Sequence, residues 1–206
     1  MSAPLIAVLD YGIGNLRSAQ KALQKVGGDA RLTNDLALIR DAGATVLPGV
    51  GNFGACMTAL RTSGLADVVY ERIAVGRPFL GICVGMQMLF DSSDESPGVP
   101  GLGVIRGAVR YLPSTVKRPQ MQWNRLSVRA EDAALSGLPA EPWMYFVHSL
   151  HCMPDDPTLV IATTDYGCEV TAAVRQGSVV AVQFHPEKSA TDGLAFLRTF
   201  VESAGG

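Results

Sequence analysis

Pro78-Phe79-Leu80-Gly81-Ile82-Cys83-Val84-Gly85-Met86-Gln87 is the stretch that decides the fold of this chain. Apolar and small residues run into Gly-x-Cys-x-Gly, and a helix-like apolar pattern follows through Met88, Leu89 and Phe90. The spacing predicts a buried strand ending near Ile82, a sharp turn at Cys83 and a helix that starts at once. That is a nucleophile elbow with sulfur in place of the serine oxygen. Gly81 and Gly85 leave strand and helix room to cross, because a Cβ at either place would meet the other element. The turn lifts the thiol above the sheet and sets it against helix N-terminal amides, where the positive end of the dipole favours thiolate. Two readings of Cys83 stand at this point: a nucleophile, or a small buried core residue, which is the commoner fate of cysteine.

Upstream of the elbow, strands and helices alternate. Leu5-Ile6-Ala7-Val8-Leu9 is a continuous apolar run, followed by Asp10-Tyr11-Gly12-Ile13-Gly14-Asn15 and then by Leu16, Ala19, Leu23 and Val26 at helical spacing. Gly27-Gly28 stops that helix, Asp29–Thr33 offers a short strand, and Thr45-Val46-Leu47 offers another, closed by Pro48-Gly49-Val50-Gly51-Asn52. Phe53–Leu60 and Leu65–Val75 carry helical periodicity. Strands this apolar, separated by helices, predict an α/β fold: an open, mostly parallel sheet with helices on both faces.

Downstream, Asp91–Gly103 is rich in acidic residues, Pro and Gly and reads as a loop on the rim of the elbow. The second half is β-rich, with strands expected at Val109–Leu112, Leu126–Val128, Trp143–His148, Val160–Thr164, Val170–Arg175 and Val179–Phe184. Lys117–Asn124 between them reads as a loop. Ser189 or Thr191 is suited to cap a last helix in which Leu194, Leu197 and Val201 share a face. No linker or internal repeat divides the 206 residues, so one domain spanning 1–206 is expected.

Composition narrows the function. A net charge of −2 argues against an extended nucleic-acid surface, which needs a basic excess to replace counterions. The longest apolar runs are strand-length and far short of a membrane span. The first residues lack a charged region followed by a long apolar one, so no signal peptide is expected. Cys56, Cys83, Cys152 and Cys168 lie far apart, which suggests a reducing, cytoplasmic setting without a disulfide framework. No metal is expected, because Cys and His show no ligand spacing, and Gly12-x-Gly14 without a third glycine is a weak dinucleotide signal.

A cysteine nucleophile needs a base. His185 closes the apolar run Val182-Gln183-Phe184, and Glu187 follows two residues on; side chains two apart in an extended segment point the same way, so Glu187 can orient the imidazole as the acid does in a Ser/His/Asp triad. An ordinary surface His-Pro-Glu turn is the competing reading. His148 and His151 have no carboxylate within two residues and are read as structural. For an oxyanion hole, Pro48-Gly49-Val50-Gly51 can turn the N–H groups of Val50 or Gly51 toward the elbow, with Val84 N–H as the second donor. A plain glycine turn is the alternative there.

Together, Gly81-x-Cys83-x-Gly85-x-Gln87 and His185-Pro186-Glu187 resemble the triad, or class I, glutamine amidotransferases, and both marks are present without departure. Four finer details are similar to the glutaminase subunits that serve imidazole glycerol phosphate synthase. They are Asp10-Tyr11-Gly12-x-Gly14-Asn15, Pro48-Gly49-Val50-Gly51-x-Phe53, Met121-x-Trp123-Asn124 and Phe184-His185-Pro186-Glu187-Lys188-Ser189. The resemblance implies a flavodoxin-like fold and a Cys83/His185/Glu187 triad that hydrolyses glutamine through a glutamyl thioester, without a cofactor. The ammonia would go to a separate (β/α)8-barrel cyclase, the heterodimer partner, in histidine biosynthesis. It also implies that Gln87, Gly51, the backbone around Ser149 and, more weakly, Glu95 hold glutamine, and that Asn15, Trp123, Asn124 and Lys188 lie toward the cyclase. Two departures stand out: Gln122 where the family has glycine, and Leu150-His151 where it has aromatic residues. The chain stops at Gly206 with no second domain to consume ammonia, which fits a partnered enzyme. Two alternatives remain: a glutaminase serving another synthase, and a non-catalytic flavodoxin-like module whose cysteine is a redox sensor.

Overall fold

A computed structural model describes residues 3–13 and 16–205. In chain order the elements are β1 (Leu5–Leu9), α1 (Leu16–Lys25), β2 (Asp29–Thr33), α2 (Leu36–Asp41), β3 (Ala44–Gly49), α3 (Phe53–Thr62), α4 (Leu65–Ala74), β4 (Phe79–Cys83) and α5 (Val84–Gln87). The second half adds β5 (Ser92–Ser93), β6 (Gly107–Tyr111), β7 (Gln120–Arg125), β8 (Ser127–Val128), β9 (Trp143–His148), β10 (Leu150–Pro154), β11 (Val160–Asp165), β12 (Glu169–Gln176), β13 (Val179–Val182) and α6 (Ala190–Ser203).

Eight strands form the main sheet in the order β2-β1-β3-β4-β13-β12-β11-β8. The first five are mutually parallel, and β12, β11 and β8 continue the sheet antiparallel. The chain steps one way from β1 to β2 and the other way from β2 through β3 to β4. Right-handed crossovers therefore put α1 on one face and α2, α3 and α4 on the other. Packing agrees: α1 lies against α6, and α4 lies against both α2 and α3. Covered on both faces, β3 and β4 are buried along their whole length, which is why they read as unbroken apolar runs. A smaller sheet, β10-β6-β5, and the β7-β9 ladder carry the rest of the second half.

Three sequence expectations change. The elbow helix does not run on through Phe90; α5 is a single turn. The carbonyls of Met88, Leu89 and Phe90 are taken by the N–H groups of Leu102, Ile105 and Gly103, so the end of the rim loop and the residues just after it replace the next helical turn. Lys117–Asn124 is not all loop, because Gln120–Arg125 pairs in register with Trp143–His148. Its alternating polar residues face solvent on most positions, so it lacks the apolar face that marks a strand. Ser189 does not cap α6 with its side chain; it accepts from Tyr145 N–H (2.9 Å) and donates to His185 O (2.6 Å). Among the described residues no helix is long and apolar enough to cross a membrane.

Candidate active site

Register brings the site together. Gly49 pairs with Cys83 at the carboxyl ends of β3 and β4, and Val182 pairs with Ile82 just before β13 delivers Gln183, Phe184 and His185. The carboxyl ends of parallel strands are where open α/β sheets bind ligands. Cys83 has φ 55° and ψ −112°, a conformation that a residue with a Cβ rarely adopts. Close glycines hold it there. A Cβ on Gly85 would overlap the Leu47 carbonyl, and one on Gly49 would lie 2.7 Å from Gly85 N. Gly85 thus leaves room chiefly for the neighbouring β3 rather than for its own strand, while Gly81 is tight against Gly85 O and Met86 N at 3.1 Å.

His185 is 2% exposed, and its Nδ1–H donates to Glu187 Oε1 at 2.8 Å. A turn makes this contact rather than an extended segment: Pro186–Lys188 forms one 3-10 turn, closed by Lys188 N–H on His185 O at 3.0 Å. With Nδ1 held, Nε2 is left for the Cys83 sulfur. Burial opposes charge on the imidazole, but the Cys83 sulfur on one side and the Glu187 carboxylate on the other outweigh it and raise the pKa to about 10. The strand end before His185 is fixed by edge-to-face packing of Phe184 on Phe146 (5.9 Å) and Phe196 (5.6 Å).

Cys83 and His185 open into a cavity of about 370 Å³, also lined by Val50, Gly51, Val84, Gln87, Glu95, Pro119, His148, Ser149 and Lys188. Every residue expected at the oxyanion hole and every residue expected at the glutamine pocket is therefore on its wall. Gly51 has φ +94°, which only glycine adopts readily, and Cys56 Sγ donates to Val50 O at 3.4 Å, orienting the Val50–Gly51 peptide. Tyr11 Oη donates to Pro48 O at 2.6 Å and anchors the same strand end. Glu95 is only partly free for a ligand, because its Oε2 accepts from Phe53 N–H at 2.6 Å at the start of α3.

Expected partner-facing residues fall in two places. Trp123 is half exposed on β7 and packs edge-to-face on Tyr145 at 6.0 Å. Asn124 is committed internally, donating to Asp165 O and accepting from Gln120 and Gln122. Gln122, the departure from the family glycine, is thus part of the Asn124 network. Lys188 sits exposed on the cavity rim, and Asn15 lies outside the described residues. Leu150, the other departure, is buried and presents its carbonyl to His148 Nδ1 and Gln87 Nε2, while His151 is turned to a different surface hollow.

Two residues escaped the sequence reading. Gln183 Nε2 reaches Cys83 Sγ at 3.7 Å, and Gln183 Oε1 accepts from Gln87 Nε2 at 3.1 Å, so one amide links the thiol to the end of the elbow helix. The available signal was a polar residue inside the apolar run Val179–Phe184, two positions before His185. Ser189, read as a cap, instead fastens the His185 turn to β9. Among the described residues no group of three His, Cys, Asp or Glu side chains is placed to hold a metal ion.

A strained cysteine at a strand-to-helix turn, with a buried His–Glu pair beside it on an α/β sheet, is a geometry suited to a thiol amidohydrolase. The profile of the class I glutamine amidotransferases matches residues 7–204, and the chain belongs to that family, in the branch of the imidazole glycerol phosphate synthase HisH subunits. It is 48% identical to the "Imidazole glycerol phosphate synthase subunit HisH" of Methanothermobacter thermautotrophicus, over 96% of this chain and 98% of that one. The subunit of the same name from Deinococcus radiodurans is 46% identical over 97% and 94%. A crystal structure of a glutamine amidotransferase superposes with TM-score 0.77 at 26% identity, covering 98% of this chain and 99% of that one. A PurLQS structure from Thermotoga maritima, 18% identical with TM-score 0.73, shares the fold.

Proposed function

We propose that the chain hydrolyses glutamine to glutamate and ammonia in the cavity at Cys83 and passes the ammonia to a separate cyclase subunit in histidine biosynthesis. The observation that carries this reading is the His185 ring, held by Glu187 on Nδ1 and turned by Nε2 to a cysteine whose backbone is bent out of the sheet.

Cys83 Sγ, its proton passed to His185 Nε2, attacks the side-chain carbonyl carbon of glutamine, and the oxygen takes negative charge that N–H groups of Val84 and of Val50 or Gly51 receive. One such donor is worth on the order of 3 kcal/mol in the transition state. His185 gives its Nε2 proton to the departing nitrogen; the C–N bond breaks, ammonia leaves and a glutamyl thioester remains. Water then adds to the thioester, His185 takes its proton, and the sulfur leaves as glutamate forms. Gln87, Ser149 and Glu95 supply polar groups around the substrate, in a setting with no resident cofactor and a cytoplasmic location. The relatives' name supports the synthase reading over a glutaminase for another pathway and over a redox module. Half-exposed Trp123 and Met121 supply an apolar patch for the partner, with Lys188 on the cavity rim.

A glutamine-like electrophile should label Cys83 alone among the four cysteines, with protection by glutamine. Cys83→Ala should abolish glutamine-dependent synthesis by the complex while leaving synthesis from free ammonia intact. Glutamine use surviving in Cys83→Ala would overturn the assignment.

A further inference from the structure

Gln120 and His148 face each other across the β7–β9 ladder, so their side chains leave it on the same side, toward the interior. Gln120 is fully buried and His148 is 6% exposed. Both carry a buried polar atom with no partner among the described residues: Gln120 Oε1 and His148 Nε2.

Surrounding hydrogen bonds fix what these two atoms are. His148 Nδ1 lies 2.7 Å from Leu150 O, so it carries the proton and donates, which leaves Nε2 as a bare lone pair. Gln120 Nε2 donates to Asn124 Oδ1 at 3.2 Å. Asn124 cannot be turned to suit another arrangement, because its Nδ2 donates to Asp165 O at 2.8 Å and its Oδ1 also accepts from Gln122 Nε2 at 2.6 Å. The carbonyl of Gln120 is therefore the end left over. Each unmet acceptor carries a desolvation penalty, which a guest donating a hydrogen to both would remove. His148 remains able to accept across the neutral range, since burial lowers its pKa to about 4.

We propose that Gln120 Oε1 and His148 Nε2 form a two-acceptor station for the ammonia released at Cys83. The proposal rests on the glutaminase reading above. His148 and Pro119, the residue before Gln120, both line the cavity that holds Cys83 and His185. On the opposite face of β7, Met121 is 63% exposed and Trp123 44%. The station thus sits on the interior side of the ladder, reached from the cavity through His148, with the apolar face offered to the partner on the ladder's other side. Ammonia has three N–H groups and satisfies both acceptors with one to spare. Water satisfies them too, and the test separates the two.

The complex with cyclase is assayed for glutamine hydrolysed and for product formed, using wild type and Gln120→Met, which keeps the length of the side chain and removes the acceptor. Hydrolysis should stay near the wild-type rate while ammonia lost to the medium rises by roughly fivefold, what one hydrogen bond is worth. Unchanged coupling in Gln120→Met would overturn the station. On the wild-type protein, independent of any variant, nitrogen-15 ammonium should give slowly exchanging N–H signals with cross-peaks to the His148 ring. Water-only signals at saturating ammonium would equally overturn it. A wild-type complex that hydrolyses no glutamine would instead refute the glutaminase reading, a different failure from hydrolysis with unaltered coupling.

Discussion

Replacing Glu187 with Gln removes the charge that holds His185 and keeps the shape of the side chain. Nδ1 and Oε1 are 2.8 Å apart, with His185 2% exposed and the Glu187 side chain 5% exposed, so water screens the pair weakly. The imidazole pKa stands at about 10 against 6.5 for an ordinary histidine. The difference is about 3.5 units, roughly 5 kcal/mol at 1.36 kcal/mol per unit, net of burial, which works against the charge. The charge-assisted hydrogen bond to the carboxylate is worth roughly 2 kcal/mol of this. Because the folded-state pKa is raised, this stabilisation is fully present below pH 6.5 and is lost as the pH rises through about 10. Glu187→Gln should therefore melt roughly 5 °C below wild type at pH 6, with the gap closing toward pH 10. Glutamine turnover in the cyclase complex should fall by about 10² to 10⁴, since the imidazole loses its orientation and its held proton. Melting curves across pH, paired with glutamate release, check both. A stability gap that is flat from pH 6 to 10, or turnover within a few-fold of wild type, would refute the argument.

Three further outcomes follow from the same geometry. Gly85→Ala drives a methyl group into the Leu47 carbonyl and should destabilise the protein by about 1–3 kcal/mol, read as a lower melting temperature together with loss of Cys83 labelling. His148 stays neutral down to about pH 4, whereas the unfolded chain takes up that proton near 6.5; 6.5 − 4 is 2.5 units, so roughly 3 kcal/mol of stability should be lost as pH falls across this window. His148→Gln should flatten that part of the denaturation-versus-pH curve. Glutamine hydrolysis should be low for the isolated chain and rise when the cyclase and its ligand bind, because Cys56 and Tyr11 hold the strand end whose Val50 or Gly51 N–H must turn toward the oxyanion; equal, high turnover with and without the cyclase would remove the need for that turn.

What the sequence made legible were features that act on their own backbone. Gly81 answers a collision within its own turn and Gly85 one with neighbouring β3, but both are marked by their spacing around Cys83, so the elbow and the βα order around it were readable from residue types. His185-Pro186-Glu187 was readable for the same reason, although its contact is made by a turn and not by strand alternation. What escaped was set by distant partners. The helix after Cys83 stops because Leu102, Gly103 and Ile105 claim its carbonyls. β7 exists because Gln120–Arg125 finds β9, not because its own pattern is strand-like. Gln183 matters through Cys83, 100 positions away, and Ser189 through Tyr145, 44 positions away. Such residues are polar and buried, and their cost is met only when the partner arrives in space. A lone polar residue within an apolar run next to a motif is thus the place to look for the closing members of a site. Gln183 meets that description here, and Gln120 and His148, buried in pairs with acceptors unmet, extend it to a guest the chain itself does not supply.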